Sequence, residues 1–302
     1  MTMFRAMDSS RFPAPLTTLL EHGIDYAGLF PPAALPLDQV IRNYAEYRRA
    51  PDRWALGRLI VPAVRLDEFV RVVVAIGADP AGWRLAATLG TDVAEESRLI
   101  AQANDRLAGS GATVDAVEAK VADAAAVAAL AGSVAPSVAW YGEVGLATRY
   151  DSVLDAIAAA GGFAKIRMGG TTSDLFPDPD LVVAFLLAVT ARELPFKATA
   201  GLHPPLRAAY PLTYSADSPS TVMYGYLNLL LATMLAQQGA EAAEIHAALL
   251  ESDQYAVQVH DDEIRWRHHR LRQSGRCRVG FHGFGSCSFR EPIDELGIAL
   301  TL

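Results

Sequence analysis

Residues 163–207 read FAKIRMGGTTSDLFPDPDLVVAFLLAVTARELPFKATAGLHPPLR and contain two short apolar runs, FAKIRM and PFKATAG, separated by about one helix. Each run carries one lysine. The chain has 26 basic residues, but only Lys120, Lys165 and Lys197 are lysines, and all three lie in runs that predict buried strands. A lysine amine, unlike an arginine guanidinium, can lose its proton when buried and form a Schiff base. The stretch therefore predicts that these lysines are buried, either as reactive amines or as partners in ion pairs.

The alternation of a strand with a helix extends over most of the chain. Strands are predicted at 25–30, 54–61, 83–88, 113–121, 138–144, 163–168, 196–200 and 278–284. Such alternation indicates parallel βαβ units, and the first turn lacks the glycine-rich loop of a dinucleotide-binding sheet. We therefore expect one α/β domain over residues 1–302, a (β/α)8 barrel of TIM type. A helical insertion at about 205–275 is expected before the last strand, with helices at 221–238 and 240–251.

Composition narrows the class of protein. The chain is 51% hydrophobic and 20% charged, which is enough for a large core and argues against disorder. Its formal net charge of -8 disfavours a nucleic-acid binder. Two cysteines, Cys277 and Cys287, make no disulfide framework and fit a reducing cytosol. No run is apolar over the length of a membrane span, so we expect a soluble, cytoplasmic protein with no membrane partner.

Strand alternation predicts a charged barrel interior. Every second side chain of a strand points the same way. The polar sets that share a face are Glu118 with Lys120, Tyr141 with Glu143, Lys165 with Arg167, and Lys197 with Thr199. If the apolar faces pack under the helices, four cations meet two carboxylates inside the barrel. That surplus favours a small anionic substrate. The alternative is an interior of ion pairs without chemistry, Lys120–Glu143 and Lys165–Glu118.

A glycine-rich segment near the end of the chain predicts an anion site. It reads VGFHGFGSCSF (279–289), and a helix is expected shortly after it. Glycines let backbone amides approach an anion, and the loop after the last barrel strand is a common phosphate site. The candidate substrate-binding residues here are His282, Gly283, Gly285, Ser286 and Ser288. His282 is also a candidate metal ligand, and an ordinary turn is an equally good interpretation of the glycines.

The order of these pieces resembles the class I aldolases of the deoxyribose-phosphate aldolase type. AKIRMGG contains Lys165, FKATAGL contains Lys197, and GFGSCS occupies 283–288. The resemblance implies that Lys165 forms the Schiff base, that Lys197 tunes it, and that the last motif holds a substrate phosphate. The motifs DYAGLFPPA (25–33) and FGSCSF (284–289) also resemble those of a bacterial family and imply no particular activity.

The leading hypothesis is a Schiff-base lyase that acts on a small anionic carbonyl compound, phosphorylated or carboxylated. One ammonium lowers the pKa of a neighbouring amine, so Lys197 would keep Lys165 reactive. Glu118, Glu143 or His203 would move protons, with Asp115 or Glu118 as the acid partner. No cofactor is needed, and the absence of HExxH and CxxC gives little support for zinc.

Three other interpretations stay open. In a magnesium-dependent enolising enzyme, Glu118 and Glu143 would bind Mg²⁺. In a non-catalytic binding module, residues 221–272 would form the interface, with His268 and His269 on a solvated or interface helix. Cys287 could be a nucleophile if a base lay nearby. The apolar helix YGYLNLLLATML (224–235) is compatible with a homo-oligomer or with packing on the barrel.

Overall fold

The computed structural model describes residues 12–146, 150–272 and 274–299. Eight parallel strands close into a barrel in the order β1-β13-β7-β6-β5-β4-β3-β2. The barrel strands are β1 (Ile24–Tyr26), β2 (Leu56–Pro62), β3 (Arg84–Thr88), β4 (Thr113–Lys120), β5 (Ala139–Glu143), β6 (Phe163–Arg167), β7 (Phe196–Thr199) and β13 (Phe281–Ser286). The predicted (β/α)8 fold is therefore confirmed.

Helices alternate with these strands and cover the outside of the barrel. They are α1 (Ala14–Leu20), α2 (Leu37–Tyr47), α3 (Leu66–Ala75), α4 (Val93–Leu107), α5 (Ala124–Ser133), α6 (Asp151–Ala159), α7 (Pro179–Ala191), α8 (Tyr226–Gln237), α9 (Ala242–Leu249), α10 (Ser274–Gly280) and α11 (Arg290–Ala299). Helix α7 begins with an ordinary cap: Asp178 accepts a bond from the backbone N–H of Asp180, and Pro179 occupies the first turn.

Two apolar clusters divide the core. The larger one lies between the strands and the helices. The smaller one lies inside the barrel and consists mainly of small side chains: Ala27, Ile60, Ala86, Ala116 and Tyr141. Because three of these five are alanines, the barrel interior retains room for charged side chains and for a cavity above them.

The segment between β7 and β13 contains both predicted helices, although the first begins at Tyr226 and not at 221, and two β elements that were not predicted. A hairpin comprises β8 (Ala208–Pro211) and β9 (Ser220–Met223), and a three-stranded sheet comprises β10 (Val257–Val259), β11 (Ile264–Trp266) and β12 (His269–Leu271). The prediction of a helix carrying His268 and His269 is wrong. Buried Ile264 and Trp266 alternate with exposed Arg265, which is the period of a strand, but the surrounding charges obscured it.

Helix α8 accounts for the apolar run at 224–235. Its residues 226–236 are all buried, and it packs beside α7, α9 and β13. The apolar surface of this helix is therefore covered within the chain. Throughout residues 12–146, 150–272 and 274–299, no helix combines the length and the apolar character needed to cross a membrane.

Candidate active site

A cavity of about 780 Å³ lies at the carboxyl ends of the barrel strands, where barrel enzymes carry their active sites. Its floor includes Glu118 of β4, Lys165 and Arg167 of β6, and Thr199 of β7. The β8–β9 hairpin contributes Tyr210 and other residues to its wall. The inward-facing side chains of neighbouring strands therefore meet a space large enough for a small molecule.

Lys165 lies between two carboxylates on this floor. Its Nζ atom is 2.8 Å from Glu118 Oε2 and 2.7 Å from Glu143 Oε2. The Lys165 side chain is 7% exposed, and Arg167 Nε donates to Glu143 Oε1 at 3.2 Å. Both ion pairs of Lys165 are buried. Removing the lysine or a carboxylate would therefore leave an uncompensated charge inside the barrel.

Lys197 lies beside Lys165 on the neighbouring strand and shares one of its carboxylates. The register of β6 and β7 places the two lysines opposite each other. Lys197 Nζ donates to Glu118 Oε1 at 2.5 Å and also to Asp25 Oδ2. It lies 5.3 Å from the centre of the Tyr141 ring. Glu118 thus bridges both lysines, one with each carboxylate oxygen.

The charges of this network shift one another's pKa values. Burial by itself would raise the pKa of Glu118, but Lys165 and Lys197 lower it to about 2. Burial would lower the pKa of Lys197, but Asp25 and Glu118 raise it above its ordinary value. Burial opposes ionisation of Glu143 as well, and Lys165 and Arg167 nevertheless lower its pKa. Lys197 is therefore held as an ammonium.

Asp25 was not identified as a site residue from the sequence, and it changes the charge balance. Its carboxylate accepts from Lys197 and, at 2.6 Å, from the backbone N–H of Arg58. With it, Lys165, Lys197 and Arg167 face three carboxylates: Asp25, Glu118 and Glu143. The expected surplus of positive charge inside the barrel is wrong. The available signal was an acidic residue at the start of the apolar run DYAGLF (25–30), which was predicted to be a strand and of which Asp25 and Tyr26 lie in β1.

Lys120 does not belong to this network. It is exposed at the last position of β4, so the prediction that it lies buried inside the barrel is wrong. The predicted Lys120–Glu143 pair is replaced by Glu143 pairs with Lys165 and Arg167. Lys120 is the next residue after Glu118 on the inward face of β4. The strand ends there, so the Lys120 side chain is exposed to solvent.

Asp115 has a different set of partners. It bonds Arg58 Nε and Arg84 Nε, each at 2.6 Å. Neither its carboxylate nor these arginines line the cavity, so the structure does not bring Asp115 to Lys165. Of the two acid partners suggested by the sequence, only Glu118 contacts a lysine of the network.

The predicted glycine-rich loop is largely strand. Residues 281–286 form β13, while Arg278 lies in α10, so the last strand begins later than predicted. Gly285 lines the cavity, but Gly283, Ser286 and Ser288 do not. The two serines satisfy local backbone groups instead: Ser286 Oγ accepts from Ser288 N–H at 3.4 Å, and Ser288 Oγ accepts from Glu291 N–H at 3.2 Å.

Replacing Gly283 with alanine is expected to destabilise the protein by about 3 kcal/mol or more. Gly283 has a φ of 123°, and a Cβ atom there would lie 2.1 Å from the carbonyl oxygen of Gly23. Gly132 is a matched control, because it lies in α5 with nothing within 4 Å of an added Cβ. Gly132→Ala should leave stability unchanged or raise it by up to ~1 kcal/mol. Urea unfolding measures both, and equal effects would show that Gly283 is not constrained by this contact.

His282 lies apart from the cavity, in the first half of β13. Its Nδ1 atom is 2.9 Å from Tyr141 Oη, and its ring packs edge-on against Phe163. Burial, with the nearby charges of Arg278, Arg58 and Lys197, lowers the pKa of His282 to about 4. A neutral imidazole at this position contributes no charge to anion binding.

His203 belongs to a second polar group on the cavity wall. Its Nδ1 atom is 3.1 Å from Glu291 Oε2, and Tyr214 Oη donates to Glu291 Oε1 at 2.7 Å. Cys287 Sγ lies 3.6 Å from His203 Nε2 and 3.9 Å from Nδ1. Burial would lower the pKa of His203, but its bonds to Cys287 and Glu291 raise it to about 10.

The stability of the protein is expected to decrease as the pH falls from about 4.5 to about 2. The pKa of Glu118 is 4.5 when unperturbed and about 2 in the folded chain. The unfolded chain therefore binds more protons in this range, and the stabilisation by ionised Glu118 is present above 4.5 and lost on acidification. Urea unfolding of the wild type and of Glu118→Gln across this range measures the effect. Identical pH dependence in the two proteins would contradict it.

Comparison of the sequence with protein-family models and with curated proteins finds no match. The site must therefore be interpreted from its geometry.

Among the described residues, Glu244, His268 and His269 are the one group of three whose ligand atoms are close enough to hold a metal ion. These residues do not line the cavity.

Proposed function

We propose that the protein is a Schiff-base-forming lyase of the class I aldolase type, in which Lys165 attacks the carbonyl carbon of a small substrate. The observation that carries the proposal is the position of Lys165. Its amine lies on the floor of the cavity between two buried carboxylates, and a second buried lysine shares one of them. A barrel with this arrangement has a nucleophile and proton acceptors in contact before any substrate binds.

The carboxylates supply the proton transfers that Schiff-base chemistry requires. Lys165 must lose a proton before it can attack, and Glu118 and Glu143 lie within hydrogen-bonding distance of its amine. Lys197, held by Asp25 and Glu118, remains an ammonium beside it. Loss of water from the carbinolamine then needs a proton donor, and Glu143 or Glu118 would return the proton that it took from Lys165.

Arg167 is the group best placed to bind an anionic part of the substrate. It lines the cavity, its side chain is 42% exposed, and its ion pair with Glu143 uses Nε. A guanidinium has further N–H donors that suit carboxylate or phosphate. Thr171 and Thr199 line the same cavity and offer hydroxyl groups. A small carbonyl compound with one anionic group fits this set of donors.

The geometry favours Schiff-base chemistry over a magnesium-dependent enolising reaction. Mg²⁺ would need carboxylate oxygens of Glu118 and Glu143, and both carboxylates are bonded to Lys165. A metal at this point would have to displace the ammonium. The Schiff-base reaction instead uses these contacts as they stand.

Borohydride trapping tests the proposal. The protein is incubated with small phosphorylated and carboxylated aldehydes and ketones, reduced with borohydride, and its intact mass is measured. We expect one compound class to add its mass, less one oxygen, to one site per chain, with and without EDTA. Omitting borohydride should leave the mass unchanged after gel filtration. The proposal is overturned if no carbonyl compound adds mass to the protein.

A further inference from the structure

Cys287, His203 and Glu291 form a second cluster of reactive groups on the wall of the cavity. The Cys287 thiol is 3.6 Å from His203 Nε2, and the opposite ring nitrogen is 3.1 Å from Glu291. Cys287 is 6% exposed, His203 is 14% exposed at its side chain, and all three residues line the cavity. They come from the loop after β7, the segment after β13 and the first turn of α11, so only the folded barrel brings them together.

We infer that Cys287 is a nucleophile, activated by His203, that accepts an activated acyl group from an ester or thioester. A nucleophile within reach of a base, whose other nitrogen is held by a third group, is the arrangement that acyl-transfer enzymes share. This inference does not rest on Schiff-base chemistry at Lys165. Cys287 and Lys165 face the same cavity but use different neighbours.

The chemistry balances without a cofactor or a redox partner. In the resting site the proton of the Cys287–His203 pair lies on His203, so Sγ bonds to the acyl carbon without a further proton transfer. The bond from that carbon to the leaving alcohol or thiol breaks, and the leaving group takes the proton from His203. Water then gives one proton to His203 as its oxygen bonds to the acyl carbon, the bond from that carbon to Sγ breaks, and the carboxylic acid leaves with the resting Cys287–His203 pair restored. Glu291 orients the imidazole and stabilises its charged form throughout.

The walls of the cavity indicate an acyl group with an apolar part. Phe30, Leu212 and Met223 line the space that Cys287 faces. The hydroxyl of Tyr214, on the β8–β9 hairpin, lies 3.5 Å from Cys287 Sγ and bonds Glu291. Burial of apolar acyl atoms against these side chains would favour binding.

Cys277 provides an internal control, since the chain has two cysteines. It is fully buried in α10, and burial raises the pKa of its thiol to about 12. A thiol in such surroundings is inert. Reaction at Cys287 and not at Cys277 therefore separates activation in the cavity from general thiol reactivity.

Acylation by p-nitrophenyl acetate tests the inference. We expect a burst of one p-nitrophenolate per chain, and peptide mass spectrometry should place the acetyl group on Cys287. The burst should disappear in Cys287→Ser and persist in Cys277→Ser and in Lys120→Arg, whose side chain is exposed and outside the cavity. His203→Gln should slow acylation by at least ~100-fold. Because the acetyl group is mapped to Cys287 and the borohydride adduct to a lysine, the two results are independent.

The inference is overturned if the wild-type protein is acetylated elsewhere or not at all, or if folded His203→Gln reacts as fast as the wild type. Thermal unfolding of each variant shows whether it is folded. Glu291→Gln gives a second measurement: as a positioning residue it should slow acylation by ~10-fold, and Glu291→Asp should recover part of the rate. Equal rates for all three forms at position 291 would also contradict the inference.

Discussion

Replacing Lys165 with arginine is expected to abolish borohydride trapping and to lower the turnover of any trapped carbonyl compound by at least ~1000-fold. Arginine keeps the positive charge between Glu118 and Glu143, so the ion pairs have a partner. A guanidinium stays protonated and cannot form the Schiff base. The effect should therefore appear in the chemical step and not in the folding of the barrel.

Lys120→Arg is the matched control for this variant. Lys120 is exposed at the end of β4 and lies outside the cavity lining. The Lys120→Arg protein should form the borohydride-reduced adduct and turn over the carbonyl compound as the wild type does. Turnover by Lys165→Arg within tenfold of the wild type, with an unchanged melting temperature, would show that Lys165 is not the nucleophile.

Replacing Lys197 with methionine is expected to lower stability by ~3–5 kcal/mol at pH 7. Lys197 is 2% exposed and bonds both Asp25 and Glu118. Without its ammonium, the two buried carboxylates face each other with less compensation. One of them gains a proton more easily as the pH falls, so the loss should be smaller at pH 5 than at pH 7.

Urea unfolding of Lys197→Met at both pH values measures this loss. Asp25→Asn in the same chain should recover part of it, because the double variant removes one of the opposed charges. Lys120→Met should leave the unfolding curve in place, since that side chain is exposed. A Lys197→Met protein as stable as the wild type at pH 7 would contradict the account of this network.

The alternation of polar and apolar residues along each predicted strand was sufficient to predict which side chains face into the barrel. VDAVEAKV placed Glu118 inward, AWYGEV placed Tyr141 with Glu143, and the two lysine runs became the adjacent strands β6 and β7. These predictions depend on the period of a strand and on the order of βαβ units, both of which are local in the sequence. The same reasoning gave the barrel itself.

Contacts between distant segments could not be predicted in this way. Asp25 reaches Lys197 across the closure of the barrel between β1, β13 and β7, and His203 meets Glu291 and Cys287 only after the insertion has folded. Lys120 illustrates the other limit, because alternation gives the face of a side chain but not the position at which a strand reaches solvent. One residue at a strand end decides between burial and exposure.

The central claim is that Lys165 is the nucleophile of a Schiff-base enzyme, and peptide mapping of the borohydride-reduced adduct tests it most directly. The protein is trapped with the carbonyl compound that adds mass, digested, and each lysine-containing peptide is sequenced by mass spectrometry. We expect the adduct on Lys165, with Lys120 and Lys197 unmodified. An adduct confined to exposed Lys120, or one that survives in Lys165→Arg, would contradict the claim.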